Sequence, residues 1–153
     1  MLGGVAVLLA ACSPASVQVA ADSPVPGTEA VCAALVAALP KTVDGQTRRT
    51  ASPDLPNVAV WGDPPILLRC GVPKPVQYAP SAQVFPINDV AWLPVAGVNG
   101  EVFFATGRTV WVRVDVPDAY APEANALVDL AAALSTVPTT SPSPSTPPPP
   151  TPS

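Results

Sequence analysis

The chain contains no histidine. That removes the side chain most often used as a general base, the one whose charge changes near neutral pH, and the commonest metal ligand. Charge of either sign is scarce: 12% of residues are Asp, Glu, Lys or Arg, about half the share usual in a soluble domain. Seven basic residues stand against eleven acidic ones, for a net charge of −4. Such a chain raises no positive field to attract a phosphate backbone, so no nucleic-acid partner is expected. Aromatic residues make up only 5%. The sequence also lacks a G-x-S-x-G elbow, an S-x-x-K pair and a G-x-x-x-x-G-K-[ST] loop. Without histidine there is no Ser–His or Cys–His nucleophile and no usual zinc ligand set. No catalytic residue, cofactor or metal is expected, and the chain does not read as an enzyme.

Proline is abundant instead, 23 residues in 153, and unevenly placed. At the N-terminus, Met1 to Ala11 is uncharged and built from leucine, valine and alanine. It is far shorter than the roughly 20 residues a spanning helix needs, and it fits the apolar region of a signal peptide over residues 1–11. Leu9-Ala10-Ala11-Cys12 follows, and it matches the lipobox of bacterial lipoproteins. The chemistry needs a thiol at that point, because a diacylglyceryl group is attached through sulfur before the chain is cut just ahead of the cysteine. The expected location is extracytoplasmic, anchored to the outer face of the cell membrane through acyl chains on Cys12. Signal peptides normally open with Lys or Arg. None precedes this run, which predicts a true start upstream of Met1.

Cysteine counting agrees. Three cysteines in an exported chain leave one odd. Lipidation of Cys12 accounts for it and leaves Cys32 and Cys70 to pair in an oxidising compartment. A helix is predicted from Thr28 as N-cap to a stop at Pro40, with Cys32, Leu35, Val36 and Leu39 on one stripe. A strand over Ile66 to Cys70 places Ile66, Leu68 and Cys70 on one face. Both cysteines therefore face the core, and a bridge between them contributes about 4 kcal/mol in the chain-entropy account.

Between these elements, Lys41 to Asn57 reads as loop with a turn at Asp44-Gly45, and Val58 to Trp61 as a short strand. Gly71 to Pro86 reads as irregular, and Ile87 to Val98 as a strand disturbed by Pro94. Asn99-Gly100 and Gly107-Arg108 are two-residue hairpin signals. The second would set Phe104 beside Trp111 and Phe103 beside Val112. From Thr109 to Val116 the chain alternates, with Val110, Val112, Val114 and Val116 inward and Trp111, Arg113 and Asp115 outward. Pro122 is expected to open a second helix whose stripe is Leu127, Leu130, Ala131 and Leu134. The fold class is α+β: a small antiparallel sheet with an N-terminal and a C-terminal helix packed on it and one disulfide. The expected organisation is a signal peptide over 1–11, a flexible tether over 12–27, one domain over 28–137 and a disordered Pro/Ser/Thr-rich tail over 138–153, half of it proline.

Arg48, Arg49, Arg69 and Arg108, with Trp61, Tyr78 and Trp92, have the chemistry to line a groove for an anionic or sugar ligand. The alternative is that the tryptophans are core and the arginines pair with Asp63, Asp89 or Asp115. Asp115, Asp118 and Glu123 cluster around a strand-to-helix loop. They read either as a calcium-type cluster matching no EF-hand pattern or, more commonly, as a solubilised helix start.

The chain resembles an actinobacterial envelope lipoprotein family of unknown function, the domain of unknown function thirty-five fifteen. Cys32 with Ala38-Leu39-Pro40, Gln46-x-Arg48-Arg49 and WGDPPILLRCGVPKP from Trp61 to Pro75 carry the resemblance. It continues through Asp89-Val90-Ala91-Trp92-Leu93, Thr106-Gly107-Arg108, Val114-Asp115-Val116-Pro117 with Tyr120-x-Pro122, and Leu127-Val128-Asp129-Leu130. The family implies an exported, often lipid-anchored protein and no assigned reaction. Some relatives carry another cysteine near Gln83-Val84; this chain has none, so no second bridge is implied. Three functional classes follow: a membrane-anchored accessory or binding protein contacting envelope proteins or cell-wall polymer, a solute- or ligand-binding lipoprotein, or a carboxylate-dependent hydrolase.

Overall fold

Apolar stripes on two helices and alternation along one long strand decide how the layers stack. The computed structural model describes residues 15–140. The expected signal peptide, Cys12 and its lipid, and the tail from residue 141 lie outside the described residues. In chain order the elements are β1 (Val17–Gln18), α1 (Glu29–Ala38), β2 (Thr42–Val43), β3 (Gln46–Arg49), β4 (Ala51–Ser52), β5 (Val58–Trp61) and β6 (Ile66–Val72). Then come β7 (Phe85–Ile87), β8 (Val90–Ala96), β9 (Gly100–Thr106), β10 (Trp111–Pro117), a 3₁₀ turn over Asp118–Tyr120 and α2 (Asn125–Leu134). Among the described residues no helix is long and apolar enough to cross a membrane.

Eight strands form one antiparallel sheet in the order β2-β3-β5-β6-β10-β9-β8-β7, while β1 and β4 make a separate two-stranded parallel pair. Both edges are short, and β7 carries Pro86, so neither offers a long template for pairing with another chain. The inward valines of β10, Val112, Val114 and Val116, are buried as the alternation required. They share one core with Ile66 and Leu68 of β6, Trp61 of β5, Trp92 of β8, Leu35 of α1, and Leu127, Leu130 and Leu134 of α2. Both helices thus cover the same face, and the α+β class holds. Each such aliphatic side chain contributes about 1.5–3 kcal/mol when fully buried. Cys32 of α1 is bonded to Cys70 of β6, with Cα atoms 5.4 Å apart.

Several local expectations change. The stretch from Lys41 to Asn57 is not loop: β2, β3 and β4 run through it, with a turn at Asp44-Gly45 whose Asp44 N–H donates to Asp129 Oδ2 at 2.8 Å. Thr28 sits ahead of α1, but its hydroxyl donates to the Val25 carbonyl at 2.6 Å rather than capping the helix. Pro122 precedes α2 by a turn, in which the Asn125 N–H donates to the Pro122 carbonyl at 2.9 Å. In the β8–β9 hairpin, Gly97 N donates to the Gly100 carbonyl at 3.0 Å, so Val98 and Asn99 are the central residues. Gly100 is needed one position later, where a Cβ would collide with the Val116 carbonyl. The register between β9 and β10 is shifted by two from that predicted: Val112 faces Ala105 and Arg113 faces Phe104. The cause is the tip, whose backbone pairs with the chain after α2; Thr109 N donates to Pro138 O at 2.8 Å and Thr140 N to Gly107 O at 3.0 Å. Residues 138–140, expected as the start of the tail, therefore belong with the domain.

The segment expected as a tether is likewise laid along the domain as a strap. Val17 and Gln18 pair in parallel with Ala51 and Ser52, and Val25 N donates to the Gly71 carbonyl at 2.7 Å. Gly71 has φ +76, and a Cβ there would meet Thr28 Oγ1 at 2.5 Å and Pro24 Cβ at 2.8 Å. Strap and strand approach more closely than any side chain permits.

Two outcomes are expected. Replacing both bridge cysteines, Cys32→Ala with Cys70→Ala, lowers unfolding free energy by about 3–4 kcal/mol in urea titrations; a change below about 1 kcal/mol would contradict the bridge as a main tie. Gly71→Ala costs at least about 1–2 kcal/mol through the positive φ and the lost strap contact. It also speeds amide exchange over Val17–Val25, and unchanged exchange would show that the strap does not depend on that contact.

Candidate functional site

A sheet buried by helices on one face must also dispose of its other face. Here the residues on the helix-free face are Val58 and Val60 of β5, Leu67 and Arg69 of β6, Trp111, Arg113 and Asp115 of β10, and Val102 and Phe104 of β9. Two covers meet them from opposite sides. Val17 and Val19 of the strap pack on Ala51, Val58, Val60 and Leu67. Tyr78 and Ala82, in the loop after β6, pack on Leu93, Phe104 and Trp111, with Tyr78 edge-on to Trp111 at 4.9 Å between ring centres. Between the two covers an open groove of about 1160 Å³ remains, with Arg69, Phe104, Arg113 and Asp115 among its lining.

Arg69 and Arg113 are direct cross-strand partners. Like charges placed opposite one another destabilise a strand pair, so each is matched by a carboxylate. Arg69 Nη1 donates to Asp22 Oδ2 at 2.9 Å and to the Ala20 carbonyl at 3.2 Å, which ties it to the strap. Arg113 grips Asp115, two residues on and therefore on the same face, through Nε at 2.9 Å and Nη2 at 2.5 Å. Its side chain is 41% exposed, so the pair is worth about 0–1 kcal/mol of stability. Among the described residues Nη1 of Arg113 and both Nε and Nη2 of Arg69 donate to no protein acceptor. The floor of the groove therefore presents guanidinium donors already held in place. Rim residues include Lys74, Val76, which is 92% exposed, and Val98, which is 97% exposed.

The residues singled out from sequence do not form one face. Trp61 is wholly buried on the helix side, and its Nε1 donates to the Pro40 carbonyl at 3.1 Å. Trp92 is also core, with no hydrogen-bond partner for Nε1 among the described residues. Arg48 lies over the Trp61 ring at 5.3 Å, and burial pushes its pKa below the ordinary value. Arg49 donates to the Ala15 carbonyl at 2.6 Å and the Gly62 carbonyl at 2.9 Å, with Asp63 at 3.9 Å. Arg108 donates to the carbonyls of Val137 and Asp89 at 3.1 Å each. Only Arg69 of that group lines the groove. Arg113 is a partner of equal standing there, although strand alternation marks it merely as outward. The signal that finds it is Phe104 and Leu67: large apolar residues on the outward face of central strands mean that this face too is covered. Asp115, Asp118 and Glu123 do not converge, and no group of three or more acidic, Cys or His residues is placed to hold a metal among the described residues.

Neither the curated proteins nor the solved structures provide a match to this chain. A family model described as a protein of unknown function, DUF3515, matches residues 1–142, and the chain belongs to that family.

Proposed function

We propose that the protein is an exported lipoprotein, held to the outer face of the cell membrane through Cys12, which works by binding rather than by catalysis. Its binding surface is the groove on the helix-free sheet face, and its partner is an extended segment of another envelope protein. The observation that carries this reading is the pair of cross-strand arginines on the groove floor with donors to spare. Carbonyls and carboxylates of an extended segment suit those donors, as the chain's own strap shows by seating Ala20 O and Asp22 on Arg69. The groove is open to solvent and lined by both signs of charge, which favours a chain segment over a small anion enclosed on all sides. Export is supported by Leu9-Ala10-Ala11-Cys12 and by the Cys32–Cys70 bridge, a bond that persists in oxidising compartments.

Two measurements test this. Cys12→Ser moves the protein from the membrane fraction to the soluble fraction of cells; full membrane retention would count against the anchor. A photo-crosslinking residue in place of Val76, at the groove rim, captures a discrete envelope protein in cells. Arg113→Ala lowers that yield about tenfold, the effect of ~1.4 kcal/mol, while Lys41→Ala, outside the groove, leaves it unchanged. Equal yields from the two variants, or no discrete product, would overturn the groove as the binding surface.

A further inference from the structure

The strap changes what a lipid anchor would do. A free tether of the length expected from sequence would let the domain wander above the bilayer. Ala15, the first described residue, is held to the domain: its carbonyl accepts from Arg49 Nη2 at 2.6 Å. Only three residue steps separate Ala15 from Cys12, a reach of about 11 Å at full extension. That is little more than the polar layer on one side of a bilayer, ~5–8 Å.

The sheet register says which part of the domain is brought there. Arg49 also donates to the Gly62 carbonyl, so Ala15 lies beside the turn joining β5 to β6. Trp61 pairs with Ile66, Leu67 with Asp115, and Pro117 with Gly100. The Gly62–Pro65 turn and the Gly97–Gly100 turn therefore share one end of the sheet. That second turn carries Val98, which at 97% exposure is the most exposed large apolar residue described. An isolated valine at a hairpin tip has no role in the fold, whereas at a headgroup boundary it has apolar surface to bury. The charges beside Ala15, Arg49 and Asp63, are 3.9 Å apart and offset one another.

We infer that the domain stands end-on against the lipid surface, with the Gly62–Pro65 turn and Val98 at the headgroups. The opposite pole is the β9–β10 tip, where Thr140 N donates to Gly107 O. Strands of seven residues place that pole about 23 Å further from the membrane. Thr140, the last described residue, lies at that pole on the side away from the bilayer, and the groove runs up one flank rather than facing the lipid.

The inference rests on the lipid anchor proposed above, and the experiment separates the two. Full-length lipidated protein is reconstituted into phosphatidylcholine vesicles containing a minority of phosphatidylglycerol and a lipid with a headgroup nitroxide. A fluorescent amino acid replaces either Val98 or Ser135, which lies near the Gly107 pole. The Val98 probe is quenched several-fold more strongly than the Ser135 probe, and Arg49→Ala, which frees Ala15, reduces that contrast. Equal quenching of both probes on protein that floats with the vesicles would overturn the orientation and leave the anchor standing. Protein that does not float would overturn the anchor and the orientation with it.

Discussion

Adjacent residues of one strand hold the two halves of the domain. β6 lies in the middle of the sheet, between β5 and β10. From one face Cys70 is bonded to Cys32 on α1; from the other, one residue earlier, Arg69 grips Ala20 and Asp22 of the strap. Gly71 follows with no side chain, and its carbonyl receives the Val25 N–H. Three consecutive residues thus fasten a helix, a strap and a backbone crossing. The covalent tie acts mainly by limiting the unfolded chain, whereas the strap is held by contacts whose net worth is about 1 kcal/mol each. The helix face is accordingly the firm one and the strap face the yielding one.

Four of the seven cations are spent on backbone. Arg48, Arg49, Arg69 and Arg108 donate to the carbonyls of Val36, Gly62, Ala15, Ala20, Val137 and Asp89. A planar guanidinium with five donors suits the pinning of loops that lack paired carbonyls of their own. This explains how a chain so poor in charge and so rich in proline stays ordered along its connections. Proline removes backbone donors, the carbonyls that remain need partners, and arginine supplies them.

What was legible in the sequence is what regular periodicity writes. Leu127, Leu130 and Leu134 at helical spacing, Val112 to Val116 at strand spacing, and the core-facing positions of Cys32 and Cys70 all follow from a repeat within one element. The rest depends on partners far away in the chain. Gln46–Arg49 is polar and only four residues long, and it becomes a strand because Arg48 and Arg49 pair with Trp61 and Val60. The β9–β10 tip takes its register from Pro138 and Thr140. The strap is small, proline-punctuated sequence with few large side chains, and what fixes it is the pairing with β4, two valines on the sheet, Gly71 and two arginines. The groove was hidden for the same reason: alternation labels Arg113 as outward without saying that outward is a half-covered face.

Placing Arg69 and Arg113 side by side on central strands sets a condition on anything that binds there. Their mutual repulsion is relieved by Asp22 from the strap and Asp115 from β10, so stripping either carboxylate away restores it. A multiply charged anion that took both guanidiniums would have to displace two carboxylates, one of them carrying the strap. An extended segment that accepts hydrogen bonds from the remaining donors leaves both ion pairs intact and adds apolar contact with Phe104 and Val76. Affinity then comes chiefly from the apolar area buried, while the fixed guanidiniums set register and direction along the groove. The arrangement favours a partner that reads the site as a surface to lie along, and it disfavours one that must pull the strap away to enter.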